Sequence, residues 1–188
     1  MREIILIRHT RVHNPENICY GQTEIPLAPT FEAESRIVLR RLASLLRGRP
    51  PPLVWSSPAG RCRQLAARLF PDRIPVVDGR LREMHFGLWQ SRPWRLLPEE
   101  ERRDWLNDVH HSRTPDGESF ADLCHRCRHF VRDLPATPAP MVIISHSGTI
   151  RALRVAAGIT PAAAALSVQI GYGELLYHRL PVQHFPSE

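Results

Sequence analysis

The chain has 188 residues, 43% of them hydrophobic and 23% charged, which gives room for one ordinary domain with a sizeable core and excludes disordered and fibrous classes. Its net charge is +6, all 25 basic residues are arginine, and these are spread from Arg2 to Arg179 without a basic run, so a small phosphorylated anion is a better expected partner than nucleic acid. The early apolar run Ile4 to Ile7 is far too short for a membrane span or a signal peptide, and Cys19, Cys62, Cys124 and Cys127 are too sparse for a disulfide scaffold, so a cytoplasmic protein with reduced thiols and no membrane partner is expected.

The run Glu3 to Ile7, branched and apolar, predicts a buried strand. Arg8 to Thr30 is polar and broken by Asn-Pro and Pro-Leu-Ala-Pro, which predicts a long irregular loop of the kind that carries function. Thr30 stands as an N-cap for a helix over Phe31 to Leu46, after which Pro50 to Pro52 stop the chain. Leu53 to Trp55 predicts a strand, Gly60 to Phe70 a helix, and Ile74 to Val77 a third strand. Leu81 to Trp89 reads as irregular. Helices over Pro98 to His110 and Ser119 to Leu134 follow, forming a helical insertion over about residues 90–135 within one domain spanning 1–188. Met141 to Ser145 is the clearest strand, Ser147-Gly148 opens a helix through Ala157, and Leu166 to Ile170 with Leu175 to Arg179 predicts a closing strand pair. Alternation of strands and helices predicts an α/β fold, a doubly wound and mostly parallel sheet flanked by helices, with the insertion over the active site.

Ligands of open α/β sheets bind at the carboxyl ends of the strands, and three predicted strand ends carry chemistry. Arg8-His9-Thr10 follows the first, Ser56-Ser57-Pro58 leads to Arg61 after the second, and Ser145-His146-Ser147-Gly148 followed by Arg151 ends the last long one. Two histidines, several arginines and Glu83 of Leu81-Arg82-Glu83 supply nucleophile, anion-binding and proton-transfer candidates. The helix N-termini near Gly60 and Ser147 are expected to add backbone donors for an anion. Cys124-His125-Arg126-Cys127 lies inside a helical pattern without a second pair, so neither a redox nor a zinc role is expected, and no metal ligand set is found. His110-His111, Arg102-Arg103 and Glu99 to Glu101 read as surface. The pattern carries no signal for oligomeric state.

Leu6-Ile7-Arg8-His9 resembles the opening motif of the histidine phosphatase superfamily, the group that includes cofactor-dependent phosphoglycerate mutases. In the same order, Ser56 to Arg61 resembles its second arginine motif, Leu81-Arg82-Glu83 with Gly87 and Trp89 its glutamate motif, Gly117-Glu118-Ser119 its helix-opening motif, and Ser145 to Gly148 its second histidine motif. The run Ile18 to Leu27 and the late Gly171-Tyr172-Gly173-Glu174 are similar to the alpha-ribazole phosphatase branch, whose members often begin Arg-His-Thr, as Arg8-His9-Thr10 does here. The superfamily's asparagine six residues after the histidine falls on Pro15, with Asn14 one place before it, and Gln90 replaces a second acidic residue.

The resemblance implies a metal-independent phosphomonoesterase with no cofactor, of the alpha-ribazole 5'-phosphate phosphatase type in cobalamin biosynthesis. It implies His9 as nucleophile, Arg8, Arg61 and His146 around the phosphoryl oxygens, Glu83 as general acid and base, and Asn14, Gln22, Thr23 and Ser147 as substrate contacts. A phosphoglycerate mutase, a broad-specificity phosphatase and a non-catalytic phosphate-binding module are the alternatives. The family's mutases are typically longer, and retention of His9, Arg61, Glu83 and His146 speaks against a retired module.

Overall fold

In the computed structural model, which describes residues 2–180, the chain forms β1 (Arg2–Arg8), β2 (Ile18–Cys19), α1 (Phe31–Leu46), β3 (Leu53–Ser56), α2 (Gly60–Leu69), β4 (Val76–Val77), β5 (Arg92–Pro93), α3 (Glu99–Asn107), α4 (Phe120–Arg132), β6 (Met141–Ser145), α5 (Ser147–Ala156), α6 (Ala162–Ala165) and β7 (Leu175–Leu180). Branched apolar residues suit β1 and β6 to burial on both faces, and these strands lie inside a five-stranded sheet of order β4-β3-β6-β1-β7. β1 and β3 both run parallel to β6, with Ile7 and Ser56 opposite Ile144. The carboxyl ends of the three strands are therefore level, and the residues that follow them, His9, Ser57 and His146, emerge side by side. β7 is antiparallel to β1, so the turn before it arrives at the same edge, where Gly173 N–H donates to the carbonyls of Arg8 and His9 at 3.2 and 3.1 Å.

The pleat sends alternate side chains to two layers. Ile5, Ile7, Val54, Val142 and Ile144 pack on Val38 and Leu42 of α1 and on Cys62, Leu65, Ala66 and Leu69 of α2. On the other face Ile4, Leu6, Met141 and Ile143 pack on Phe120, Leu123, Cys127 and Phe130 of α4 and on Ile150 and Leu153 of α5. Removing one such large side chain costs about 2–5 kcal/mol. Helix α4 starts on a capping box, in which the Ser119 hydroxyl accepts the Asp122 N–H and the Asp122 carboxylate accepts the Ser119 N–H.

Several expectations need correction. Leu166 to Ile170 is not a strand: it is turn and irregular backbone after the short helix α6, β7 fills the sheet edge beside β1, and the carbonyls of Val168 and Ile170 are taken by Arg151 and Arg8 side chains. Thr30 occupies the position before α1, but its hydroxyl donates to the Glu34 carboxylate and caps no backbone N–H. Helix α4 is also a core layer of the main sheet. What stands apart is the segment around α3, where Trp89, Trp94, Trp105 and Phe86 meet in edge-to-face contacts with ring centroids 5.7–6.2 Å apart. Sequence pattern gave no hint of the two-residue pairing of β2 with β5, which ties the loop after β1 to this cluster.

Candidate active site

His9 leaves β1 buried, with Nδ1 at 2.7 Å from the Thr10 carbonyl. A carbonyl only accepts, so Nδ1 carries the proton and Nε2 is the nitrogen with a free lone pair. Burial pushes the His9 pKa down to about 3, and the Arg61 and Arg8 cations add to that shift. The ring is therefore neutral throughout the physiological range. His146, after β6, has its ring 5.2 Å from that of His9. Arg61 Nη2 faces His146 Nδ1 at 3.2 Å, and arginine only donates, so His146 holds its proton on Nε2, 2.8 Å from the Ser57 hydroxyl. Desolvation, then the neighbouring His9, Arg61 and Arg126, hold its pKa well below the usual histidine value.

Two guanidinium groups face these rings. Arg61, fully buried at the start of α2, donates Nη1 to the Thr23 carbonyl at 3.0 Å and Nη2 to the Gly21 carbonyl at 2.7 Å, while its Nε has no partner. Arg8 donates Nη1 to the Ile170 carbonyl at 2.6 Å, and its buried Nε is likewise unpartnered. The Arg8 and Arg61 cations both act on the neutral His9, and their unpartnered Nε donors suit an oxyanion. Tyr172 lies flat over Arg8, 3.7 Å from guanidinium carbon to ring centroid, and Tyr20 stands 5.0 Å from Arg61. The two hydroxyls approach to 3.4 Å.

Glu83 reaches the N-terminus of α5, where its carboxylate accepts the N–H groups of Gly148 and Thr149, both at 3.1 Å. The N-terminus of α2 is occupied in the same manner by Glu24, which accepts the Gly60 N–H at 3.0 Å. At both helix ends expected to cradle an anion, a carboxylate of the chain itself therefore takes part of the exposed N–H groups, as free N–H groups and the helix dipole attract any nearby anion.

The remaining candidates divide. Gln22 donates Nε2 to the Glu83 carbonyl at 3.0 Å, and its own N–H goes to Gln90 Oε1 at 2.8 Å, which gives Gln90 a bracing place in the loop. Thr23 holds Arg61 through its carbonyl, and Ser147 is the first residue of α5, next to His146. Asn14 does not join the group: both ends of its amide are spent on the backbone of Ile18, at 3.0 and 2.8 Å. Arg151 turns to the Val168 carbonyl at 2.8 Å. Cys124 and Cys127 are buried and unpaired, and burial pushes the Cys124 thiol up to about 11. Among the described residues no group of three or more His, Cys, Asp or Glu side chains is arranged to hold a metal ion, and no helix is long and apolar enough to cross a membrane. Sequence reasoning did not single out Tyr20, Tyr172 or Ser57 as site residues, although Ser57 follows β3 just as His9 follows β1 and His146 follows β6.

The family model of the histidine phosphatase superfamily (branch 1) matches residues 4–179. The chain belongs to the histidine phosphatase superfamily. It is 33% identical over 156 residues to the "Probable phosphoglycerate mutase GpmB" of Yersinia enterocolitica, covering 78% of this chain and 70% of that protein. Among solved structures it resembles mycobacterial glucosyl-3-phosphoglycerate phosphatase in complex with a vanadium oxyanion, at 25% identity and a TM-score of 0.82 over 94% of this chain and 92% of that one. Thermus thermophilus TTHB049 matches at 26% identity and a TM-score of 0.71 over 96% and 97%. As a member of this superfamily the chain is an enzyme of the phosphatase and phosphoglycerate mutase type, with the mixed, mostly parallel sheet of its relatives.

Proposed function

We propose that the protein hydrolyses phosphomonoesters through a phosphohistidine on His9 and needs no metal. The observation that carries this reading is the fixed tautomer of His9: Nδ1–H is anchored on the Thr10 carbonyl, so the neutral Nε2 keeps its lone pair free in the field of the Arg61 and Arg8 cations. In the first step Nε2 bonds to phosphorus while the bond from phosphorus to the leaving oxygen breaks, and Glu83 delivers a proton to that oxygen. In the second, water attacks the phosphohistidine, Glu83 receives its proton, and the N–P bond breaks to release inorganic phosphate. Arg8 and Arg61 offset the charge that spreads over the equatorial oxygens, with His146 holding Arg61 through Nδ1, a contribution of the kind worth about 3–4 kcal/mol per well-placed donor. Proton transfer by Glu83 adds about 100- to 10,000-fold.

For the substrate we favour alpha-ribazole 5'-phosphate, and with it a cytoplasmic place in cobalamin biosynthesis. Support comes from the likeness of Ile18 to Leu27 and Gly171 to Glu174 to that branch, and from Tyr20 and Tyr172, whose rings beside Arg61 and Arg8 offer flat surface for a benzimidazole. Four unpaired buried thiols suit a reducing compartment. The second reading, a phosphoglycerate mutase, is favoured by the name of the Yersinia relative. Phosphate release measured side by side on alpha-ribazole 5'-phosphate, 3-phosphoglycerate and p-nitrophenyl phosphate separates these. We expect the highest kcat/KM on the first and no phosphoryl transfer to phosphoglycerate; efficient transfer between phosphoglycerates would overturn the hydrolase reading.

A further inference from the structure

Glu83 lies on irregular backbone between the 3₁₀ turns Gly79–Leu81 and Gly87–Trp89, and a proton carrier on such backbone needs something to fix it. Arg126, in α4, supplies that. Its Nη1 donates to the carbonyls of Arg80 and Arg82 at 2.6 and 2.8 Å, and its Nη2 to the carbonyl of Glu83 itself at 2.9 Å. Nη2 and Nε also engage the two oxygens of the Glu118 carboxylate, at 3.0 and 2.8 Å. One of those oxygens accepts the His85 N–H at 2.8 Å, so the pair grips the segment on both sides of Glu83. Both side chains are largely buried, 18% and 23% exposed.

A guanidinium has five N–H donors, and here all five are spent inside the protein. Arg126 thus has none left for a phosphoryl group, which sets it apart from Arg8 and Arg61. Its targets are the carbonyls of the segment that carries the proton donor, while the carboxylate of the same residue is held by the first N–H groups of α5. Glu83 is therefore fixed at its backbone from α4 and at its carboxylate from α5, two helices that pack on each other.

We propose that Arg126, braced by Glu118, is a positioning residue for the proton-transfer step, setting where the Glu83 carboxyl stands relative to the leaving oxygen. The proposal rests on the reading of Glu83 as the proton carrier. Misplacement by about 1 Å of a group at a reaction centre costs on the order of 100-fold in rate, and that is the effect at stake.

The test compares Arg126→Lys, Glu118→Gln and Glu83→Gln on ribose 5'-phosphate, whose leaving alkoxide needs a proton, and on p-nitrophenyl phosphate, whose leaving group does not. Lysine keeps the charge and the stem but offers three donors from a single point, so it cannot span three carbonyls and a carboxylate. For Arg126→Lys we expect the first-turnover rate on ribose 5'-phosphate to fall by about 10- to 100-fold with KM and vanadate inhibition nearly unchanged, while p-nitrophenyl phosphate keeps a fast first turnover. Combined with Glu83→Gln, it should cause no further loss, because both remove one function. Equal loss on both substrates in the first turnover, a rise in KM in place of the fall in rate, or losses that multiply in the double variant would overturn the proposal. If Glu83→Gln alone loses both substrates equally without a burst, the reading of Glu83 fails instead. Thermal unfolding is followed for every variant; should Arg126→Lys not fold, Glu118→Gln, which preserves shape, carries the same expected pattern at smaller amplitude, and its absence counts equally against the proposal.

Discussion

Acidification from about pH 7.5 to about pH 5 should destabilise the fold, and His9 contributes a share that can be worked out. Its ring is 1% exposed, and burial together with Arg61 and Arg8 moves its pKa from 6.5 to about 3. The native pKa lies below the unfolded one, so the unfolded chain takes up the proton first. The stability held by the neutral ring is complete above about pH 6.5 and is lost as pH falls through that value toward the native pKa near 3. At about pH 5 nearly every unfolded His9 is charged while the native ring is still neutral, which favours unfolding by about 2 kcal/mol relative to pH 7.5. His146 shifts in the same direction and adds to the loss. The carboxylates held low, Glu3, Asp78, Asp108, Asp122 and Asp133, titrate below the ordinary carboxylate range and enter only at still lower pH. Urea unfolding of the wild type and of His9→Gln at both pH values isolates the effect: the pH-dependent loss should be smaller by about 2 kcal/mol in the variant, at unchanged m. An identical loss in both proteins would refute the buried neutral His9.

Three further outcomes follow from the site. Glu83→Gln should show a burst of nitrophenol from p-nitrophenyl phosphate followed by slow turnover, whereas an alkyl phosphate should be slow from the first turnover; proportional loss on both without a burst would assign Glu83 a structural role only. Activity should survive dialysis against a chelator and be blocked by vanadate, since the described residues offer arginines and histidines for an oxyanion; loss of activity that magnesium or zinc restores would contradict this. A Cβ on Gly148 would stand 2.4 Å from Glu83 Oε1, so Gly148→Ala should push the carboxylate off α5 and lower the alkyl-ester kcat by about tenfold with thermal stability little changed; wild-type kinetics would show that the contact is dispensable.

The strand ends were legible because burial writes itself into composition. Ile4 to Ile7 and Met141 to Ser145 read as interior strands without any homologue, and their parallel pairing through β6 explains why motifs about 135 residues apart, around His9 and His146, meet at one edge. Helix α4 was legible as a helix but not as a core layer, since its apolar spacing says that it buries a face and not against what. Leu166 to Ile170 misled because alternating apolar residues promise a strand, whereas its backbone acceptors are met by Arg8 and Arg151 side chains. The helix N-termini were legible as N–H donors, but that Glu24 and Glu83 reach the N–H groups of Gly60, Gly148 and Thr149 depends on tertiary contacts that no local rule encodes. Arg126 was invisible for the same cause, being one arginine among many until three carbonyls of a distant segment are seen around it.

The central claim is the covalent intermediate. A rapid-mix experiment with substrate labelled in its phosphoryl group, quenched in alkali, where phosphohistidine survives, and mapped by peptide mass spectrometry, addresses it directly. Label should appear within the first turnover on the peptide containing His9, be absent from His9→Ala, and accumulate to higher occupancy in Glu83→Gln. Undiminished turnover in His9→Ala, or steady hydrolysis by the wild type with no label on His9 at any time point, would contradict it.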